Sequence, residues 1–565
     1  MTLSIRLGQY STAGCKAVNQ DSYGAVLPQG TVLATKGIAL AVADGVSSSR
    51  VSQVASETAI QSFLQDYYCT NDAWSVPHSC RQVVQACHQW LVSQNRQSGY
   101  SLEPEKGYLC TFTSLVLRRD QAYWLHIGDS RMYLLRGRQL EQLTRDHRVW
   151  QGQASYLSQA LGLDQRLEPE QNSLTLQPGD LLLLATDGLF DALTPADLLR
   201  ALTDSQLDPT ESAHQLAQLA LDNGATDNIS LQLVVVDAVD RRASKPYQPN
   251  DHLPLPPALA VGDELDGFEV TQVVQQNSRS FVYQVYCKQD GRSYLLKAPS
   301  TEHSEQPEQL ERLLREEWIA RRVQSRHLLK AAPSGHSRTA LYSLFEFIEG
   351  QSLRQWLQDH PKAPLEQVRQ LIEQVGRALQ SLHRSEILHQ DLRPENVMID
   401  HQGLVVVIDY GSAKLAGLDN TMATACEVPG TALYRAPEYM QGEAGNEGSD
   451  LYSLAVLTYH LLTGQFPYGT AMARCTTAKA QSRLSYQSAR LYRPELPLWL
   501  DQTLQKAVQP SPASRYQLLS EFLYDLRQPN PEFMAPVSLI QQHPLAFWQA
   551  LCVFQLLLIL ALLIQ

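Results

Sequence analysis

Aspartates recur at the ends of apolar runs in the first 230 or so residues of this 565-residue chain. They stand in Asn19-Gln20-Asp21, Val42-Ala43-Asp44-Gly45, Ile127-Gly128-Asp129-Ser130-Arg131, Ala185-Thr186-Asp187-Gly188 and Thr226-Asp227-Asn228-Ile229. A single Asp-Gly is usually a turn. Carboxylates that follow successive apolar strands instead converge at one edge of a sheet. Several buried there cannot all stay ionised without cations, and a hard oxygen donor set selects Mg²⁺ or Mn²⁺ over Zn²⁺. Two such ions could lower the pKa of a water, aim it at phosphorus and stabilise charge on the phosphoryl oxygens. A second constellation lies downstream: His389-Gln390-Asp391-Leu392-Arg393-Pro394-Glu395-Asn396, then Asp409-Tyr410-Gly411, Ala436-Pro437-Glu438 and Ser449-Asp450-Leu451.

The first set resembles the metal-dependent PP2C (PPM) serine/threonine phosphatases over residues 1–238. The resemblance implies an α-β-β-α sandwich. It implies that Asp44 bridges two metals, the Gly45 carbonyl ligates the second, and Asp187 and Asp227 hold the first. Asp21 would orient metal-bound waters and Asp129 would border a third, weaker site, with Asn228 and Ser130 supporting the ligands. Lys16 stands where the family usually has a phosphate-holding Arg. It keeps the positive charge without the bidentate fork. Cys110-Thr111-Phe112-Thr113 replaces the family's Gly-Thr-Thr strand, a difference expected to bear on packing more than chemistry.

The order and spacing of the second set match the protein-kinase signature. The resemblance covers residues 262–528 and implies a two-lobed kinase fold of the serine/threonine class. Phosphoryl transfer is mostly positioning and charge neutralisation. By the resemblance, Asp391 would accept the substrate hydroxyl proton, Asn396 and Asp409 would hold Mg²⁺ against ATP, and Arg393 would keep a cation near the γ-phosphate. Lys297 would grip the α/β-phosphates, paired with Glu316, with Glu317 the competing choice. Glu346 to Ile348 would form the adenine hinge, and Glu438 with Arg515 a buried ion pair. The phosphate-covering loop falls at 275–282, with Phe281 and Val282 as the apolar cap, and it contains no glycine. Glycine there lets the backbone approach phosphates closely, so a weaker nucleotide grip is expected. Gln390 replaces the Arg that usually pairs with a phosphorylated activation loop, which predicts activity that is constitutive or gated in another way. Thr421 and Thr424 remain modifiable, and Thr431 is expected to shape the substrate site.

The elements that must position these residues are short and apolar: strands are predicted at Gly37–Val42, Leu181–Ala185 and Leu231–Val236. The boundaries read 1–238 for the first domain, 239–260 for a proline-rich, semi-rigid linker and 261–528 for the second domain. A further linker follows at 529–544. Residues 545–564, LAFWQALCVFQLLLILALLI, carry no formal charge. At ~1.5 Å rise per residue they can cross a ~30 Å hydrocarbon core as a single transmembrane helix. The expected fold class is therefore α+β, two catalytic domains and one span.

The net charge of −12 excludes a general nucleic-acid binder. Nine cysteines without CxxC spacing read as reduced thiols. The expected location is the inner membrane, single-pass, with both catalytic domains in the cytoplasm. The expected partners are protein Ser/Thr or phospho-Ser/Thr, ATP, and Mn²⁺ or Mg²⁺. The function expected is a bifunctional kinase and phosphatase. The alternative is an active phosphatase regulated by a pseudokinase module, which nucleotide binding without transfer would distinguish. A scaffold with neither activity would not explain why every catalytic aspartate is retained.

Overall fold

The computed structural model describes residues 2–151, 154–163, 166–204, 208–241, 253–277, 280–300, 307–333, 338–415 and 431–533. The chain divides into two compact units, Met1–Ile348 with Asp409–Asn420, and Glu349–Ile408 with Thr421–Gln565.

The N-terminal part of the first unit is a sandwich of two five-stranded antiparallel sheets. One runs in the order Ser4–Thr12, Ile229–Ala238, Leu181–Ala185, Arg131–Arg136, Gln139–Gln142. The other runs Glu170–Thr175, Gln121–Ile127, Phe112–Arg118, Ile38–Asp44, Asp21–Val26. Period-two alternation explains the layering. Leu182 and Leu184 point into the core between the sheets with Leu40, Val42, Leu115 and Val234. Leu183 and Ala185 point the other way, onto the helices Pro195–Asp204 and Pro209–Asp222. Helices Ser52–Cys69 and Val76–Gln97 cover the second sheet. The result is the α-β-β-α sandwich implied by the resemblance.

The same unit contains a third five-stranded sheet, Glu264–Leu265, Phe268–Gln276, Ser280–Cys287, Arg292–Pro299 and Ser343–Glu346, with the helix Pro307–Arg322. Its hydrophobic core includes Phe268, Tyr283, Leu296 and Leu344. The described end of the linker is tied to this sheet: Leu341 N donates to Pro254 O at 2.9 Å and Leu259 N to Tyr283 OH at 3.1 Å.

The second unit is mainly helical, with Leu365–Arg384, Glu447–Thr463, Leu498–Ala507 and Leu519–Arg527, plus a three-stranded sheet of Gly350–Ser352, Val397–Asp400 and Val405–Val407. Arg515 and Glu438 form a buried bidentate pair at 2.9 and 2.7 Å. Ser449 Oγ donates to the same carboxylate at 2.6 Å.

Among the described residues no helix is long and apolar enough to cross a membrane. The segment 545–564, Thr421, Thr424 and residues 242–252 of the first linker lie outside the described residues, as do Ser278 and Arg279 and the side chain of Thr431.

Candidate active sites

The aspartates of the sandwich gather at the sheet edge where their strands end. Carboxylate oxygens of Asp44, Asp129 and Asp187 lie within 4.8 Å of one another. Asp21 is paired in register with Asp44 across adjacent strands. Burial, then the neighbouring charges of Asp21, Asp187 and Asp129, pushes Asp44 well above the carboxylate range. Burial lifts Asp187 to about 7 and Asp21 to about 6, and it raises Asp129 as well. One oxygen each of Asp21 and Asp187 is buried with no hydrogen-bond partner. A cluster of oxygen donors that resists ionisation and keeps unpartnered oxygens fits divalent hard cations.

The backbone around the cluster is tightly held. Thr111 Oγ1 accepts from Asp44 N at 3.0 Å and lies 2.8 Å from Ser130 Oγ. The Cys110–Thr113 stretch therefore positions a candidate ligand, a role beyond packing. Asn228 Oδ1 accepts from Gln20 N at 2.9 Å, and its Nδ2 donates to Ala13 O and Val18 O at 3.0 Å each. Gly45 has no room for a side chain, since a Cβ would lie 2.7 Å from Gln20 O and 2.8 Å from Ser52 O. Thr186 Oγ1 donates to Asp21 Oδ2 at 2.8 Å.

Two cations border the cluster. Lys16 pairs with Asp227 and donates to Ser47 Oγ at 2.7 Å. Arg148, which the sequence did not single out, reaches Asp129 at 2.5 Å and Asp187 at 3.0 Å. It lies on a short hairpin of Arg148–Gln151 and Ala154–Leu157, and no local motif marks it.

In the small sheet Lys297 Nζ sits 2.8 Å from Glu316 and 3.2 Å from Asp409. Burial disfavours the ammonium, but Asp409 and Glu316 outweigh it and hold Lys297 above its usual value. Lys297 in turn keeps Asp409 well below the carboxylate range, while burial pushes Glu316 up. Glu317 takes no part in this cluster. It faces Asn71, Arg321 and Arg338. Phe281 and Val282 lie opposite Ala298 and Lys297 on the neighbouring strand. The preceding hairpin is closed without glycine by Asn277, whose Oδ1 accepts from Ser280 N at 2.8 Å. Glu346 ends the strand Ser343–Glu346 and donates its N–H to Lys330 O at 2.9 Å. Ile348, two residues on, closes the first segment of this unit.

In the second unit Asn396 Nδ2 donates to Asp391 O at 2.8 Å and to Asp391 Oδ2 at 3.1 Å. Arg393 pairs with Glu395 at 3.1 Å. Asp450 fixes the loop from below, its carboxylate accepting from His389 N and Gln390 N at 2.9 Å each and lying 2.9 Å from His383 Nε2. Gln390 is left-handed, with φ of 64°.

Residues 9–221 match the Protein phosphatase 2C family and residues 268–526 the Protein kinase domain family. A probable serine/threonine-protein kinase of Clostridium perfringens is 27% identical over 261 residues, 46% of this chain and 38% of that protein. Serine/threonine-protein kinase PrkC of Bacillus subtilis is 24% identical, covering 48% of this chain and 41% of the relative. The chain thus spans about two fifths of the length of these curated relatives. Among solved structures, PppA, titled a key regulatory component of T6SS in Pseudomonas aeruginosa, is 27% identical with a TM-score of 0.36, over 41% of this chain and 99% of that one. The Mycobacterium tuberculosis PknI kinase domain is 24% identical with a TM-score of 0.38, over 48% and 98%. The chain carries an N-terminal protein phosphatase 2C domain and a C-terminal protein kinase domain.

Proposed function

We propose that this chain both transfers the γ-phosphate of ATP to protein Ser/Thr and hydrolyses phospho-Ser/Thr. The observation that carries the kinase half is the Lys297 ammonium held between Glu316 and Asp409. In that position Lys297 can grip the ATP phosphates beside Asp409, the alignment that phosphoryl transfer requires. Lys297 orients the α/β-phosphates, Asp391 takes the hydroxyl proton, and Asn396 and Asp409 would hold Mg²⁺.

In the phosphatase half Asp44, the Gly45 carbonyl, Asp187 and Asp227 would hold two divalent cations, with Asp129 beside a third. Bound there, Mn²⁺ or Mg²⁺ would supply Lewis acidity toward water and phosphate. Lys16 offers its charge to the incoming phosphate in competition with Asp227, and Asp21 orients the attacking water. The buried surroundings strengthen each of these interactions. Residues 545–564 would anchor both domains to the inner membrane. Deletion from residue 545 should then release the protein to the soluble fraction.

The deciding measurement is transfer of labelled γ-phosphate by protein carrying Asp44→Ala, so that the product survives, with Asp391→Ala added as the blank. Incorporation above the blank is expected. Intact ATP binding with no incorporation would favour the pseudokinase reading, for which the glycine-free loop is the specific motive.

A further inference from the structure

The helix Pro307–Arg322 has two occupied faces. Successive residues on a helix are about 100° apart, so Glu316 and Glu317 cannot serve the same neighbour. Glu316 points to Lys297. Glu317, fully buried, points to the phosphatase domain.

The phosphatase side of this contact is the stretch Thr70–Trp74, directly after the helix Ser52–Cys69. Lys36 anchors it from within the domain, donating to Thr70 O at 2.7 Å and Asn71 O at 3.1 Å and lying 3.5 Å from Asp72. Asn71 Nδ2 donates to Glu317 Oε2 at 2.9 Å, and Asn71 Oδ1 accepts from Arg338 at 3.0 Å. Arg338 also reaches Glu317 at 2.6 Å, and Leu344 N donates to Glu317 at 3.1 Å. Arg321 bridges Glu317 at 2.5 Å, Asp72 at 3.4 Å and Thr70 O at 3.0 Å. Trp74 meets Trp318 edge to face at 5.7 Å, both rings buried. Arg322 pairs with Asp66 at 3.2 Å and Glu311 with His78 at 3.1 Å, so the grip runs along the helix from 311 to 322.

Buried charges in such a network have few alternative arrangements, because each displaced partner leaves another uncompensated. The position of this helix decides whether the lysine–glutamate pair forms. We propose that Asn71 and Asp72 of the phosphatase domain are positioning residues for phosphoryl transfer by the kinase domain. They hold the helix so that Glu316 stays against Lys297. The phosphatase domain then has a second role, independent of its own chemistry, as a built-in activating partner. This inference rests on the kinase reading above.

The test uses the full chain with Asp44→Asn as parent, so that transferred phosphate survives. Asn71→Leu keeps the branching of the side chain and removes its hydrogen bonds to Glu317 and Arg338, together with the one that Asn71 Oδ1 accepts from Ala73 N. Asp72→Asn keeps shape and removes the charge at the edge of the network. Each is expected to lower kcat for γ-phosphate transfer, on the order of 10²-fold for a misplaced reacting group, and to speed amide exchange across residues 310–322. In chains that retain Asp44, the same substitutions should leave hydrolysis of p-nitrophenyl phosphate unchanged, a separation that general unfolding cannot produce. If Asn71→Leu abolishes both activities, Asp72→Asn carries the decision. Transfer at the parent's kcat and KM for ATP in the variant that decides overturns the proposal. Absence of transfer in the parent itself overturns the kinase reading. The exchange experiment then still decides the clamp, and unchanged exchange at 310–322 overturns it too.

Discussion

His126 is fully buried, its Nδ1 2.8 Å from Thr113 Oγ1 and its Nε2 3.1 Å from Arg145 O. Burial, then the adjacent His147 imidazole, pulls its pKa down to about 4 from 6.5. Between those values the unfolded chain binds a proton that the folded chain does not. Stability therefore falls as pH drops from 6.5 toward 4, by up to ~3 kcal/mol for this one group. His126→Gln should flatten that part of the profile. Urea unfolding of wild type and variant at pH 7 and 4.5 checks it, and parallel losses in both would refute the assignment. The same balance of burial against partners governs the aspartate cluster. There Arg148 supplies the positive charge nearest to Asp129 and Asp187.

At the scale of elements, the loop 389–396 is built on the helix Glu447–Thr463 through one carboxylate. Asp450 remains ionised despite burial because His383, His389 and the backbone of Gln390 favour its charge. Those bonds hold Gln390 in the left-handed region, which costs an L-residue about 1 kcal/mol. Asp450→Asn replaces one acceptor oxygen with a donor amide and should let the loop relax. The expected result is a fall in phosphate transfer on the order of 10²-fold. Hydrolysis of p-nitrophenyl phosphate, carried by a different domain, should be unchanged. Equal transfer by variant and parent would show that the loop holds its shape without Asp450.

For the whole molecule, the consequence of joining a phosphatase domain and a kinase domain in one chain is concentration. A linker of about 20 residues keeps two modules at an effective concentration on the order of mM. The phosphatase domain should therefore erase autophosphorylation of its own kinase domain. Phosphate content after incubation with ATP should be higher in Asp44→Ala than in wild type. Equal content, with transfer demonstrated, would rule out self-erasure. Together with the clamp at Asn71 and Asp72, this would make the phosphatase domain both the structural support of the kinase and the limit on its product.

Local chemistry was legible in the sequence. The strand Leu181–Ala185 appears with the bounds its apolar run predicts, and Ile38–Asp44 and Ile229–Ala238 differ from prediction by one or two residues at each end. A run of apolar residues broken by Asp-Gly can only bury its leucines and leave its carboxylate at the edge. In the segment His389–Asn396 the partners are close in sequence as well, Asn396 bonding to Asp391 within one short loop. The tertiary structure decided which distant side chains meet. Glu316 and Glu317 are adjacent and chemically identical, and only packing assigns one to Lys297 and the other to Asn71 and Arg338. Arg148 lies 19 residues from Asp129 and 39 from Asp187, with no pattern to announce it. Thr111 reads as a packing residue until its hydroxyl is seen to accept from the backbone of Asp44, 67 residues away. Periodicity and short motifs report what a residue does to its own segment. Partners across the fold are set by how whole elements bury their apolar faces, and that sum is not written at any one position.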